Sequence, residues 1–356
     1  MRIVLCEDWY YPIYGEVFRL RFEELGAQVL PLKTRDFFPD LGSPLTWNVR
    51  TWSQYLQRRW RIGPCVARLN AALLAAARDV QAEMVFLYRC DLIWPKTLRR
   101  LRELGVRVLG YNNDDPFSPR HSWYKWRLLK RGIRYHDIFF AARDKNLAEY
   151  TAAGCSNSEL LRFNYVRELH YPLSELSAPS HMCDVSFAGH WEDDGREEHL
   201  LAITQDPAIR LRLYGTDWHR CRHYALLNRV AGLIRPAYGP EYNLVLNSSR
   251  IVLSFHSRMN NDTSTSRSFE IPASGAFMLS QYSDDLNSLF QEGVEAEYFR
   301  CKEEMLDKIR FYLANDDARK RIAAAGRARL LRDGHEALDR VRQILAAYER
   351  LKRRHA

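Results

Sequence analysis

Short apolar segments alternate with helix-like segments along most of this chain, and the series starts twice. Apolar segments such as Met84–Tyr88 and Asp184–Ala188 have the length of one buried strand. Segments between them have apolar residues at helical spacing and end at glycines, as in 95–105. Strands that alternate with helices form parallel sheets covered by helices. The sequence therefore predicts an α/β protein with two Rossmann-like domains, which we expect to face a central cleft.

A change in composition separates the two series. The stretch at 168–181 is rich in proline and serine and has no clear period, which is typical of a linker. We therefore predict an amino-terminal domain at 1–167 and a carboxyl-terminal domain at 182–335. The final segment, 336–356, is predicted to be a helix that packs back on the first domain.

The composition limits the kind of protein this can be. Hydrophobic residues make up 46% of the 356 residues, which excludes a disordered chain. The net charge of +9 suits a protein that handles phosphates or visits an anionic membrane surface. Seven scattered cysteines argue against a disulfide scaffold. Because neither a signal peptide nor a run of about 18 apolar residues is visible, we expect a cytoplasmic protein, peripheral at most to the inner membrane face.

The strongest chemical signal is the polar segment 260–275. A loop rich in serine and threonine leads into a predicted helix near Ser266 and Ser268, where free backbone N–H groups would attract an anion. Arg267 adds a positive charge, and Glu270 lies three residues further on the same face. Arg267 could neutralise a diphosphate while Glu270 binds ribose hydroxyls. The alternative is an ordinary helix cap with an Arg267–Glu270 ion pair.

This segment carries a resemblance to a known family. The run from Asp262 to Leu330, including SRSFEIPASGAFMLSQYSDDLNSLFQEGVEAEYF and ARKRIAAAGRARLL, resembles the carboxyl-terminal domain of CgeB-type glycosyltransferases. These are bacterial enzymes of the GT-B architecture, and YYPIYGEVF and YNNDDPFSPR are also similar to that group. The resemblance implies transfer of a sugar from a nucleotide-diphosphate sugar to a glycan, lipid-linked or protein acceptor, and a cell-surface polysaccharide is consistent with it.

The wider retaining GT-B enzymes carry two acidic residues eight positions apart. Asp262 and Glu270 have this spacing here, although the first residue is usually Glu. By resemblance, Glu270 would bind the donor ribose, Asp262 would contact the transferred sugar, and the anomeric configuration would be retained. The sequence has no Asp-x-Asp motif, so we expect no metal and no cofactor, with arginine neutralising the leaving diphosphate.

Two further strand ends resemble the donor site of that group. A strand-end glycine and two following basic residues usually grip the diphosphate, and Gly189, His190 and Arg196 are most similar to them. The strand end beside the nucleotide base is matched by Tyr214, Gly215 and Thr216. The alternatives are a loop histidine bonded to solvent at His190 and a simple turn glycine at Gly215.

The amino-terminal half offers acceptor-side candidates. Gly15 follows the first predicted strand, where retaining GT-B enzymes often place a glycine loop against the donor phosphates. Asp114 and Asp115 follow another strand, where they could orient an acceptor hydroxyl or act as a general base. The alternative for this pair is an Asx-rich turn before proline. Further acceptor-side candidates are Tyr14, Glu16, Arg89, Asn112 and Asn113.

Other interpretations carry less weight. A non-catalytic protein that binds a nucleotide or glycan would use the same shell, and no recognition motif predicts a nucleic-acid partner. His219 and His223 have the spacing of a helical metal pair, but no third ligand is evident, so we predict no metal site. The segment 123–131 is basic and aromatic, so it could contact an anionic membrane, or it could be an amphipathic helix with a solvated face.

Overall fold

The computed structural model describes residues 1–9, 12–38, 48–174 and 182–354. The chain divides into two compact units, with residues 1–162 and 337–356 in unit 1 and residues 163–336 in unit 2. Of the predicted linker at 168–181, residues 175–181 lie outside the described residues.

Unit 1 is built on a parallel sheet with helices between its strands. In chain order, its elements as far as residue 162 are β1 (Arg2–Glu7), α1 (Pro12–Glu24), β2 (Gln28–Lys33), α2 (Val49–Trp60), α3 (Pro64–Asp79), β3 (Met84–Tyr88), α4 (Pro95–Glu103), β4 (Arg107–Asn112), α5 (Arg127–Gly132), β5 (Ile138–Ala141), α6 (Asp144–Ala152) and β6 (Ser158–Leu160). The strand order is β2-β1-β3-β4-β5-β6, and every pairing is parallel. The core lies between β1, β3, β4 and helix α3, where Val4, Val85 and Leu69 are fully buried.

Unit 2 repeats this plan. Its elements are β7 (Cys183–Ala188), α7 (Arg196–Ile203), β8 (Leu211–Tyr214), α8 (Tyr224–Ala231), α9 (Gly239–Asn247), β9 (Ser249–Ser254), α10 (Arg267–Ala273), β10 (Met278–Gln281), α11 (Asp284–Leu289), β11 (Glu297–Phe299), α12 (Lys302–Ala314) and α13 (Asp316–Asp333). The sheet has the order β11-β10-β9-β7-β8 and is also parallel throughout. The prediction of two α/β domains with parallel sheets is therefore confirmed.

The last helix, α14 (Ala337–Arg353), returns to unit 1 and packs against α1. Its buried residues Val341, Ile344 and Tyr348 recur at helical spacing, which gives it one apolar face. Among the described residues, no helix combines the length and the apolar character that crossing a bilayer requires.

Strand order reverses at the same place in each sheet, and this fixes where a ligand is expected. In unit 1 the reversal lies between β1 and β3, and in unit 2 between β7 and β9. Open α/β sheets bind ligands beyond the carboxyl ends of the strands at such a point. A ligand of unit 2 is therefore expected beside the loops that follow β7 and β9.

Candidate functional site

The loop from β9 to α10 is held in one shape by its own hydrogen bonds. The N–H of Asp262 donates to the carbonyl of Ser257 (3.0 Å), and Asn261 has a left-handed backbone (φ 49°). The hydroxyl of Thr263 donates to the carboxylate of Asp285 at the start of α11 (2.7 Å). These contacts hold the loop that carries the predicted Asp262 beyond the carboxyl end of the central strand of the sheet.

Arg267 and Glu270 do not form the ion pair of an ordinary helix start. The guanidinium of Arg267 lies 5.7 Å from the ring centre of Phe187 and has no carboxylate partner within the described part of the chain. Glu270 is buried, and one of its oxygens accepts a hydrogen bond from the hydroxyl of Tyr242 (2.9 Å). The side chain of Ser266 makes no capping hydrogen bond among the described residues. The alternative of a simple capped helix with an internal ion pair is therefore not what the structure shows.

Several buried polar atoms around this loop lack a hydrogen-bond partner within the described residues. They are Ser186 Oγ in β7, Ser254 Oγ in β9, and His256 Nε2, Ser264 Oγ and Thr265 Oγ1 in the loop after β9. Leaving one such atom unpaired costs about 1–3 kcal/mol. These atoms are concentrated in β7, β9 and the loop after β9. This is the pattern expected where a ligand or ordered water completes the hydrogen bonds.

His256 is a site residue that the sequence did not single out. It follows β9, and burial, reinforced by the charge on Arg267, lowers its pKa to about 4 even though Asp285 acts in the opposite direction. The imidazole is therefore neutral at pH 7, with one ring nitrogen available to donate a hydrogen bond. A lone histidine at the end of an apolar run was its only sequence signal.

The loop after β7 corrects the prediction for Arg196. This side chain is buried and bonds to Asp194 (2.5 Å) and to the carbonyl of His190 (2.8 Å), so it holds the loop instead of presenting a free cation. His190 is half-exposed and lies 2.8 Å from Glu192. Burial opposes ionisation of Glu192, but His190, Arg196 and Ser257 outweigh it and hold its pKa at about 2. Glu192, which the sequence analysis missed, joins the two loops of the site by accepting from Ser257 (2.7 Å).

Two predicted donor-site glycines lie in contact with each other. Gly215 has φ +137°, and a Cβ there would lie 2.0 Å from the carbonyl oxygen of Gly189. The Gly189 N–H donates to the carbonyl of Tyr214 (2.9 Å), and the Trp191 N–H donates to that of Thr216 (2.9 Å). The ends of β7 and β8 are therefore locked together, and only glycine fits at residue 215.

Ser268 has a supporting position. It is fully buried, and its hydroxyl oxygen accepts a hydrogen bond from the Thr265 N–H (3.1 Å). The hydroxyl therefore fixes the turn into α10, and contact of Ser268 with the donor stays a prediction.

In unit 1, the predicted glycine loop at Gly15 is wrong. Helix α1 begins at Pro12, which suits a first helical turn, so Tyr14, Gly15 and Glu16 all lie on the helix. A Cβ on Gly15 would lie 2.6 Å from a carboxylate oxygen of Glu7, so the glycine permits close packing of α1 on the end of β1. The ring of Tyr14 stacks on Tyr88 (5.7 Å), and Glu16 pairs with the Arg19 guanidinium (2.5 Å).

Asp115 has a structural role in the turn before Phe117, which agrees with the alternative of an Asx-rich turn. It is fully buried, and its oxygens accept from Lys145 (3.0 Å), from the side chain of Asn146 (2.8 Å) and from the N–H of Phe117 (2.9 Å). This corrects its assignment as a catalytic base, because the carboxylate is occupied and inaccessible.

Asp114 is charged but a weak base. Burial opposes its ionisation, but the charges of Arg89 (2.9 Å) and Lys125 (3.6 Å) outweigh that effect and hold its pKa at about 2. Such a carboxylate has little driving force to take a proton at pH 7. Its neighbours Asn112 and Asn113 are buried, and Asn112 Nδ2 and Asn113 Oδ1 have no partner among the described residues.

Glu7 was not predicted to be special, yet it is the most perturbed carboxyl at this end of unit 1. It closes β1, is almost fully buried and accepts a hydrogen bond from the N–H of Trp9. Burial, reinforced by the charge of Asp8, raises its pKa to about 8. The only sequence signal was an acidic residue at the end of an apolar run.

His219 and His223, which have the spacing of a helical metal pair, do not share a helix. His219 lies in a 3₁₀ turn over 218–220, and His223 precedes α8. No group of three or more His, Cys, Asp or Glu side chains within the described ranges is arranged to hold a metal ion.

Comparison with known proteins gives this site a class. Residues 196–346 match the family described as glycosyl transferase-like. No match was found among curated protein sequences. The match covers residues from α7 to α14 and so includes α10, which carries Arg267 and Glu270.

Solved structures extend the likeness to the whole chain. Sucrose-phosphate synthase from Thermosynechococcus elongatus is 14% identical, with a TM-score of 0.73 and 99% of each chain covered. Anabaena HepE, solved with UDP-glucose, is 12% identical, with a TM-score of 0.69, covering 98% of this chain and 99% of that chain. A Listeria monocytogenes protein described as a putative UDP-N-acetylglucosamine 2-epimerase is 10% identical, with a TM-score of 0.60, covering 98% and 95%.

At such low identity these structures show the fold alone, which is GT-B. The family match at residues 196–346 is the observation that links this fold to glycosyl transferase-like proteins.

Proposed function

We propose that this protein transfers a glycosyl group, such as a hexose, from a nucleotide-diphosphate sugar bound in unit 2 to a glycan, lipid-linked or protein acceptor. The observation that carries the proposal is Arg267, a cation without a carboxylate partner in the described chain, beside a group of unpartnered buried polar atoms. A cation left unpaired at the switch point of an α/β sheet suits an anionic ligand.

The site offers one role to each part of a nucleotide sugar. Arg267 would neutralise the diphosphate, which must carry more charge as the glycosidic bond breaks. One Glu270 oxygen accepts from Tyr242, which leaves the other to accept a ribose hydroxyl. Asp262 would contact the transferred sugar, as the family resemblance implies. Arg196 would act through the loop that it holds and is a positioning residue.

Retention of configuration, independence of metal and membership of the CgeB-type group belong to the same proposal. Retention rests on the eight-residue spacing of Asp262 and Glu270. Metal independence rests on Arg267 as the group that neutralises the leaving diphosphate. A bacterial, cytoplasmic enzyme acting on a cell-surface polysaccharide would fit the same resemblance.

A second candidate is a non-catalytic protein that binds a nucleotide or glycan. Two observations favour it. Asp262 stands where retaining enzymes usually have Glu, and the guanidinium of Arg196 is paired with the carboxylate of Asp194. Binding of a nucleotide without transfer or donor hydrolysis is the expected behaviour of such a protein.

A thermal-shift panel with UDP, GDP, dTDP, CDP and ADP, with and without Mg²⁺, tests the donor site. UDP comes first because HepE was solved with UDP-glucose. A ligand at 100 times its dissociation constant should stabilise the fold by about 2.7 kcal/mol. The shift should vanish in Arg267→Ala and Glu270→Gln and persist in Lys320→Ala, which removes an exposed charge on α13. Equal shifts in all variants would refute the site.

Turnover separates the two candidates. With the nucleotide sugar of the stabilising base, donor consumption in EDTA and a product with the donor's anomeric configuration by NMR would support a retaining, metal-independent transferase. Binding without any consumption across glycan and lipid-linked acceptors would favour the non-catalytic protein. Consumption only with Mg²⁺ would refute metal independence.

A further inference from the structure

Positive charge is concentrated in two segments of unit 1 that contact each other. Residues 48–63 and 116–136 carry ten Lys and Arg and no Asp or Glu. The rest of the chain has 43 Lys and Arg against 44 Asp and Glu, so these segments account for the basic character of the protein. Arg61 pairs with Asp91 (2.5 Å) and Lys125 with Asp114 (3.6 Å), and both acidic partners lie outside the two segments. 

Helix α2, within the first segment, turns an apolar stripe toward solvent. Asn48 caps the helix by accepting from the Thr51 N–H (2.9 Å). The stripe consists of Val49, Trp52, Leu56 and Trp60, which recur at helical spacing and are exposed by 88, 47, 45 and 39%. Helices of globular proteins ordinarily bury such a stripe. The sequence analysis did not predict this helix, although the spacing of these four residues is the signal that could have found it.

The second segment adds an aromatic edge to this stripe. The ring centre of Tyr124 lies 5.3 Å from that of Trp60, and the Arg59 guanidinium lies 5.1 Å from the Tyr124 ring. Trp123, beside Tyr124, is 71% exposed. Arg127 donates to the carbonyl of Trp60 (2.9 Å) and so ties the two segments together. We call the stripe, Trp123 and the flanking Arg50 and Arg59 the basic-aromatic surface.

A shallow cavity of about 280 Å³ opens between the segments beside this surface. Its lining includes Arg58, Arg59, Lys125, Tyr55 and Tyr124. Three cations with two phenol rings suit a phosphate-bearing headgroup, because arginine and lysine donate several hydrogen bonds to phosphate oxygens.

We propose that the basic-aromatic surface docks unit 1 on a membrane that contains anionic phospholipids. Exposed tryptophans and a leucine flanked by arginines are the composition of helices that lie in the interface plane of a bilayer. The absence of any acidic residue from both segments makes the charge complementary to anionic lipid and to no basic partner. This inference does not rest on the proposed glycosyl transfer, and its test uses no activity.

Vesicle co-sedimentation of the full chain tests the proposal. The wild type should bind vesicles of phosphatidylcholine mixed with phosphatidylglycerol, bind pure phosphatidylcholine far less, and release as salt rises. Arg50→Gln/Arg59→Gln removes two exposed charges beside the stripe and should weaken binding roughly 30-fold. Trp52→Ser/Leu56→Ser should weaken it at least roughly tenfold. The control Lys320→Gln/Arg321→Gln removes the same charge from exposed positions of α13 and should bind like the wild type.

Three results would overturn the proposal. The first is no binding to the mixed vesicles at low salt by wild-type protein. The second is equal loss in the α13 control, or equal retention on DNA, because either shows that net charge alone is responsible. The third is a wild-type dimer that Trp52→Ser/Leu56→Ser converts to a monomer, because the stripe would then be covered by a second copy. Circular dichroism of each variant establishes that it is folded.

Discussion

Glu7 gives the sharpest physical prediction, because its protonation state must change when the protein unfolds. The carboxyl is almost fully buried at the end of β1, and burial together with Asp8 raises its pKa from 4.5 to about 8, although the charge of Arg89 acts against this. In the unfolded chain it regains an ordinary pKa. Between these two values the folded protein holds one proton that the unfolded chain releases.

The sign of the effect follows from that proton. Stability from Glu7 is complete below pH 4.5 and is lost as the pH rises through about 8. One proton corresponds to about 1.4 kcal/mol per pH unit inside this window. Burial lowers the pKa of His136 and His256 to about 4 and also lowers that of His170, so their stability is lost as the pH falls below 6.5. Between pH 6.5 and 7.5 these histidines act equally in the wild type and in Glu7→Gln, so the difference between the two proteins isolates Glu7.

The assay compares urea unfolding of the wild type and Glu7→Gln at pH 6.5 and 7.5, followed in the transition of unit 1. Glutamine has the size of a protonated glutamate and can still accept from the Trp9 N–H. Its amide does not titrate, so the variant gains no charge as the pH rises. The wild type should lose about 1.4 kcal/mol relative to the variant over this interval. Glu103→Gln, an exposed change in the same unit, should follow the wild type. A difference between wild type and Glu7→Gln that stays constant with pH would refute the argument.

Three other predictions test the sites. Arg267→Ala should lower donor turnover by about 10²–10³ while the melting temperature stays close to that of the wild type, because the guanidinium has no carboxylate partner in the described chain. Gly215→Ala should destabilise unit 2 by about 1–3 kcal/mol in urea unfolding and should abolish the nucleotide-induced shift, because its Cβ would strike Gly189. Asp115→Ala should destabilise unit 1 by about 1–3 kcal/mol by the same measurement without changing turnover per folded molecule. Full turnover in Arg267→Ala, a wild-type melt in Gly215→Ala, or an inactive but fully stable Asp115→Ala would contradict these arguments.

Local patterns in the sequence were enough to predict the alternation of strands and helices in both units, although short elements such as β11 were not predicted. Met84–Tyr88 was predicted as a strand with the bounds that β3 has, because an apolar run between polar turns is unambiguous at that length. Helix α2 was missed although its apolar residues recur at helical spacing, and that this stripe faces solvent is a property of the fold that the spacing does not encode. The start of α1 was misplaced because Gly15 suggested a loop, whereas its true constraint is the carboxylate of Glu7. That contact joins two elements, and spacing along the chain does not encode it.

The two arginines of the candidate site show why residue type alone did not assign their roles. Arg196 and Arg267 both place a guanidinium near the ring of Phe187, at 5.8 and 5.7 Å. Asp194 forms an ion pair with Arg196, whereas no carboxylate in the described residues pairs with Arg267. A buried, neutralised arginine stiffens a loop, and an unneutralised one attracts an anion. The decisive variable is the partner, which depends on how the two loops fold against each other, so the sequence could nominate both residues but could not choose between them.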